Sequence, residues 1–267
     1  MITYESLIEQ AKSRGMPYTK IRGVLREYLQ VIILKEIYKT EPGKKLYFTG
    51  GTYLRLLHSL KRFSEDLDFN ANSITKGEFE GLLKKIKLEL GRIGIEVLIG
   101  FAHWGNLYVS KLIFPEVEKT YKAASKYSKK QGIVIKIETN KPKYKIKNEA
   151  EVISGFGELY PCICTDKGVL FADKIDALTK KERGRHIYDI MFMLSNKYPI
   201  DRSILNSLGF KKDPMEVISD RISGFSKAEL KSQADVLRPF LFDESEAGLV
   251  ADSQVIIPQL IEKYKFR

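Results

Sequence analysis

The chain has 267 residues, 45 Lys and Arg against 34 Asp and Glu, a formal charge of +11 and 43% hydrophobic residues. Such a composition can bury a core and excludes a disordered polymer, and no apolar run approaches the roughly 20 residues that a membrane helix needs. Met1 to Gln10 carries Glu5 and Glu9 without a signal peptide's basic flank and apolar stretch, and two cysteines and three histidines predict a reducing cytoplasm and no structural zinc site.

In chain order, Ile21, Val24, Leu25, Tyr28, Ile32 and Ile33 recur near helical spacing and predict an amphipathic helix between Tyr18 and Lys39, stopped by Pro42-Gly43. Leu46-Tyr47-Phe48 predicts a short strand and Gly50-Gly51 a tight turn. Thr52 to Leu60 then reads as a helix with Leu54, Leu57 and Leu60 on one side. Asp66 to Asn70 predicts a second strand, and Thr75 with Glu78 has the spacing of a capping box that opens a helix to about Leu90.

Further strands are predicted at Ile95 to Leu98, Leu107 to Phe114, Ile133 to Thr139 and Leu159 to Cys164. The reading places Cys162 and Cys164 on opposite faces of the last strand, which disfavours a mutual disulfide. After Asp166 only helices are expected, at Val169 to Thr179, Arg185 to Leu194, Arg202 to Leu208, Ser226 to Leu237 and Val255 to Tyr264. The order predicts an α+β fold, a mixed α/β core with helices flanking a twisted mixed or antiparallel sheet, followed by a C-terminal helical bundle. The expected divisions are N-terminal helices over 1–45, the core over 46–165 and a helical domain over 166–267.

The positive charge is unevenly placed. Residues 118–147 hold ten lysines against Glu118 and Glu138, and so supply +8 of the +11. Lys122, Lys126, Lys129, Lys130, Lys143 and Lys145 stand there with Tyr121, Tyr127 and Tyr144 interleaved. Ammonium groups neutralise phosphates and rings stack on bases, so the segment is a candidate nucleic-acid surface. A solvated lysine-rich loop is the bland alternative.

The chemistry concentrates in Phe48-Thr49-Gly50-Gly51-Thr52-Tyr53-Leu54-Arg55 and Arg62-Phe63-Ser64-Glu65-Asp66-Leu67-Asp68-Phe69. Two glycines between a strand and a helix let the backbone approach a phosphate, whose charge the N–H groups at the helix start favour. Strand alternation puts Asp66 and Asp68 on one face with Leu67 behind them. Two close carboxylates need a counter-cation, and hard oxygen ligands favour magnesium or manganese. The competing reading pairs Asp66 and Asp68 with Arg62 or Lys61.

These two stretches resemble the signature of the AbiEii/AbiGii group of nucleotidyltransferases, in the polymerase-beta-like nucleotidyltransferase superfamily. Lys136-Ile137-Glu138 resembles the strand that brings a third carboxylate. Lys174 with Arg185-His186-Ile187-Tyr188-Asp189-Ile190 resembles the later Lys and Arg-Asp-x-Tyr-Asp motifs, with His186 where the family commonly has Asp. The resemblance spans about Leu25 to Leu194.

It implies a nucleotidyltransferase core in which Gly50, Gly51, Thr52, Arg62 and Ser64 bind the nucleotide, Asp66, Asp68 and Glu138 bind Mg2+ or Mn2+, and Lys174 neutralises phosphate. Asp189 is implied to be catalytic or orienting, and His186 receives no catalytic role. The implied activity moves a nucleoside monophosphate from a nucleoside triphosphate to an acceptor hydroxyl, with a tRNA 3′ end the expected acceptor. The implied biological role is the toxin of a type IV-like toxin–antitoxin or phage-defence system, with an antitoxin as a possible partner and no membrane. Transfer to a small molecule, as in antibiotic-modifying relatives, and a non-catalytic nucleic-acid-binding module are the alternatives.

The plainer roles are equally specific. Glu138 can pair with Lys136 or Arg55, and Arg185 with Asp189 one helical turn away. His58 and His103 are read as structural, Trp104 as core, and Ile187, Ile190, Met191 and Leu194 as a packing stripe.

Overall fold

The computed structural model describes residues 1–71, 73–105, 107–121 and 132–265. The chain forms two compact units, one of Met1–Ser59, Phe63–Pro142 and Asn148–Cys164, the other of Leu60–Arg62, Lys143–Lys147 and Thr165–Arg267.

The first unit begins with α1 (Tyr4–Ser13) and α2 (Ile21–Tyr38), continues through β1 (Tyr47–Thr49), α3 (Gly50–His58), β2 (Leu67–Asn70) and α4 (Lys76–Arg92), and then β3 (Leu98–Trp104), β4 (Leu107–Phe114), α5 (Val117–Thr120) and β5 (Ile133–Asn140). The strands β6 (Asn148–Gly155) and β7 (Glu158–Thr165) complete a seven-stranded sheet of order β3-β4-β5-β2-β1-β7-β6. It is mixed: β1 runs antiparallel to β2 and parallel to β7, while β2 runs parallel to β5.

Alternation explains how these strands sort their side chains. In β5, Ile133, Ile135 and Ile137 are buried while Val134, Lys136 and Glu138 are only half-buried, the period-two signature of a sheet with one dry face. Phe48 of β1 and Phe69 of β2 are opposite one another in the register, with ring centroids 5.6 Å apart in the core. The α4 cap is a complete capping box of Thr75 and Glu78, as its spacing predicts.

Five expectations need correction. The predicted strand at Ile95 to Leu98 instead begins at Leu98 and runs to Trp104, and Trp104, expected in the core, is 63% exposed. Gly50 and Gly51 are the first turn of α3 rather than a separate turn before it. The strand β6 was not anticipated, because Glu149 and Glu151 break its apolar pattern at a sheet edge. It returns into β7 through Phe156-Gly157, both at positive φ, which is the two-residue hairpin geometry. Finally, residues two apart on a strand share a face, so the Cys162 and Cys164 sulfurs lie 3.5 Å apart, as buried free thiols.

The second unit is helical: α6 (Lys167–Lys180), α7 (Gly184–Ser195), α8 (Arg202–Ser207), α9 (Pro214–Ser223), α10 (Lys227–Leu237), α11 (Ala247–Ala251) and α12 (Ser253–Lys265). Ile187, Ile190, Met191 and Leu194 of α7 are buried, the packing role read from their spacing. No helix among the described residues is long and apolar enough to cross a membrane.

Candidate active site

The site in the first unit is built where β1 turns into α3. Phe48 is buried, Thr49 ends the strand, and Thr49 makes no side-chain hydrogen bond as the cap of α3. The helix therefore starts with backbone N–H groups that no cap side chain satisfies, the arrangement that favours an anion. Gly50 has φ of +83°, and a Cβ on it would strike the Asp68 carboxylate, lying 2.9 Å from Asp68 Cβ. Only glycine lets this helix start lie against Asp68. Gly50→Ala is expected to displace that carboxylate, cut transfer by about 100-fold and cost about 1–3 kcal/mol of stability, measured by steady-state kinetics and urea unfolding.

Asp68 reaches its place through two registers. Across the antiparallel pair it faces Thr49, and across the parallel pair it faces Glu138. Two residues earlier in each segment, Asp66 comes to Lys136, whose Nζ is 3.6 Å from Asp66 Oδ2 and 2.9 Å from Glu138 Oε1. Asp66, Asp68 and Glu138 are all half-buried, while Leu67 and Ile137 between them are in the core. Burial opposes charge on Lys136, but the Glu138 hydrogen bond and the charges of Asp66, Glu138 and Asp68 outweigh it, so its pKa is raised. The pairing of Glu138 is thus with Lys136; Arg55, the other partner considered, is buried and bonded to Glu27 at 2.9 and 3.1 Å.

Neighbouring groups position this face. Thr52 is buried and its hydroxyl donates to the Asp66 backbone carbonyl. Its side chain therefore steadies the aspartate segment. Ser64 is half-buried and its carbonyl accepts from Gln30 Nε2 at 3.1 Å. Arg26 of α2, which no motif or spacing singles out, pairs with Glu65 at 3.0 Å. Its pKa is lowered, chiefly by burial, against the attraction of Glu65 and Asp66.

The second unit holds a different cluster. Arg62 donates from Nε and Nη2 to the two oxygens of Asp189, both at 2.8 Å, and Lys174 Nζ donates to Asp189 Oδ2 at 2.6 Å. Asp189 is fully buried and Arg62 and Lys174 nearly so. Burial pushes the Asp189 pKa up, but the two cations more than reverse this and it stays lowered. One sequence expectation changes here: Asp189 pairs with Arg62 and Lys174 rather than with Arg185.

Beside them His186 is 7% exposed, and neither ring nitrogen has a hydrogen-bond partner among the described residues. Burial, then the Lys174 charge, pushes its pKa down to about 3, so the ring is neutral near pH 7. The unfolded chain takes up a proton near pH 6.5 and the folded one only near pH 3, so stability present above pH 6.5 is lost as pH falls through that window. By linkage, His186→Phe should remove about 2–3 kcal/mol of the stability lost between pH 7 and pH 4.5, read from urea unfolding at the two pH values.

Of the predicted nucleic-acid contacts, Lys143 and Lys145 are exposed on either side of buried Tyr144, whose hydroxyl donates to Asp173 Oδ1 at 2.5 Å. Lys122, Lys126, Lys129 and Lys130 lie outside the described residues. His103 contacts Glu80 at 3.0 Å, and His58 packs edge-on to the Tyr53 ring at 4.9 Å, both structural roles.

The donors Asp66, Asp68 and Glu138 suit a divalent ion by chemistry, being hard oxygens on adjacent strands beside a glycine cradle. They are arranged around the Lys136 ammonium, and among the described residues no three Asp, Glu, His or Cys side chains are grouped closely enough to hold an ion.

A mixed sheet with an aspartate pair beside a glycine-led helix is the frame of a nucleotidyltransferase. The family model for nucleotidyl transferase AbiEii toxin, type IV toxin–antitoxin system, matches residues 32–248, and the chain belongs to that family. It is a toxin-family nucleotidyltransferase.

Among solved structures the fold is similar to JHP933 from Helicobacter pylori, with a TM-score of 0.57, 19% identity and coverage of 91% of this chain and 93% of that one. It is also similar to MenT4, a nucleotidyltransferase toxin from Mycobacterium tuberculosis H37Rv, with a TM-score of 0.56, 16% identity and coverage of 99% and 92%. A comparison with curated proteins finds no match.

Proposed function

We propose that this enzyme transfers a nucleoside monophosphate from a nucleoside triphosphate to the 3′ end of a tRNA, in the cytoplasm, releasing pyrophosphate and blocking translation until an antitoxin counters it. The observation that carries the reading is the register that sets Asp68 beside Glu138 and against Gly50, at the uncapped start of α3. The exposed Lys143 and Lys145 in the lysine-rich segment favour a nucleic-acid acceptor over a cationic small molecule.

In this reading the N–H groups of Gly50 and Gly51 seat the triphosphate, with Ser64 close in sequence to the aspartates contributing to the same task. Asp66, Asp68 and Glu138 would hold Mg2+ or Mn2+, which would supply charge neutralisation for the displacement at the α-phosphate. Glu138 or Asp68 accepts the proton of the attacking hydroxyl. Lys174, which donates to Asp189, neutralises phosphate, and Arg62 orients Asp189. Catalysis is positioning and electrostatics, since the triphosphate carries its own leaving group.

The test is label transfer: protein, Mg2+ or Mn2+, total tRNA and each α-labelled nucleoside triphosphate in turn. RNA becomes labelled with at least one of the four. Label on protein alone, or on no acceptor, overturns the assignment.

A further inference from the structure

Three carboxylates on and beside two neighbouring strands repel one another, and one charge that answers them is a side chain of the same face. Lys136 precedes Glu138 by two positions on β5, so both project the same way. Its Nζ bridges the strands, 2.9 Å from Glu138 and 3.6 Å from Asp66, with Asp68 adding attraction. The flanking Ile135 and Ile137 are fully buried. They fix the backbone of β5, which leaves the lysine stem as the part free to move.

That stem is in a position to move. The Lys136, Asp66 and Glu138 side chains are 31%, 25% and 30% exposed, so the ammonium reaches water without unfolding anything. A lysine ammonium is a compact charge on a flexible stem. It and a divalent ion cannot share the oxygens of Asp66 and Glu138.

Resting on the nucleotidyltransferase reading above, we infer that Lys136 is a resident counter-cation that keeps free divalent ions off Asp66 and Glu138 and swings to the triphosphate when nucleotide arrives with its metal. The lysine thereby makes metal binding depend on nucleotide. A toxin built this way holds no metal when idle, and its carboxylates stay neutralised without one.

The experiment measures Mn2+ binding by the full chain, using the spectroscopic signal of free Mn2+, without nucleotide and with ATP, GTP, CTP and UTP in turn. Wild type binds Mn2+ weakly alone and tightly with its nucleotide. Lys136→Met binds Mn2+ alone about 10-fold tighter or more, and binds the metal–nucleotide complex about 10-fold more weakly. Lys136→Arg, which keeps the charge, stays near wild type for Mn2+ alone, and Lys136→Gln repeats the measurement if the methionine variant misfolds.

Equal affinity of wild type and both uncharged variants for Mn2+ alone, with nucleotide-dependent binding intact, overturns the role of Lys136 and leaves the site assignment standing. No Mn2+ binding by wild type with any nucleotide overturns the site assignment itself.

Discussion

Replacing Asp66 and Asp68 together by alanine is expected to reduce nucleotide transfer by at least about 1,000-fold, because the carboxylates are the principal charges at the reacting phosphate and removing one such stabiliser alone costs about 10²–10³. The fold should survive. Both side chains are half-buried on the polar face of the sheet, and the packing around them is carried by Leu67, Phe69 and Ile137, which are buried. Thr52 holds the backbone carbonyl of Asp66, a contact that alanine retains. Circular dichroism and urea unfolding should therefore change little while label transfer to RNA vanishes. A double variant that keeps its activity means the carboxylates do not carry the reaction, whatever the metal.

The second large effect is on stability. Asp189→Ala removes the one carboxylate that Arg62 and Lys174 both bind, in a setting where Asp189 has no exposure and the lysine side chain only 9%. Taking away one partner of a buried ion pair leaves uncompensated charge and costs about 3–5 kcal/mol. Replacing all three residues by apolar ones of similar volume should cost far less, since the desolvation of every charge disappears with its partner. Urea unfolding of the single and triple variants separates the two outcomes. A loss below about 1 kcal/mol for Asp189→Ala would show that solvent screens the cluster. The same cluster predicts acid lability. The depressed Asp189 pKa contributes stability above the unfolded carboxylate range that is lost as pH falls, in addition to the His186 effect between pH 6.5 and about 3.

Local pattern carries far in this chain because its central motif is local. A strand, two glycines, a helix and an Asp-x-Asp strand lie within some two dozen residues, and period-two alternation alone is enough to put Leu67 inside and the aspartates outside. Edge and connection were harder to read. The pattern of β6 is interrupted by charge, and β3 begins where the apolar residues Ile95 and Val97 end, because those two are buried without joining the sheet.

By itself, then, the amino-acid sequence determined the order of strand, glycine pair and helix, the two aspartates on one face, the capping box of α4 and the helical run after Asp166. All depend on spacing within a few residues, which backbone geometry enforces directly. Tertiary structure alone decided the partners. Asp68 faces Glu138, and Asp66 meets Lys136, because β2 and β5 run parallel in one register. Arg62 meets Asp189 across 127 residues because the fold closes them in one dry cluster. Charge pairing of that kind is set by which strands and helices become neighbours, and no local spacing encodes it.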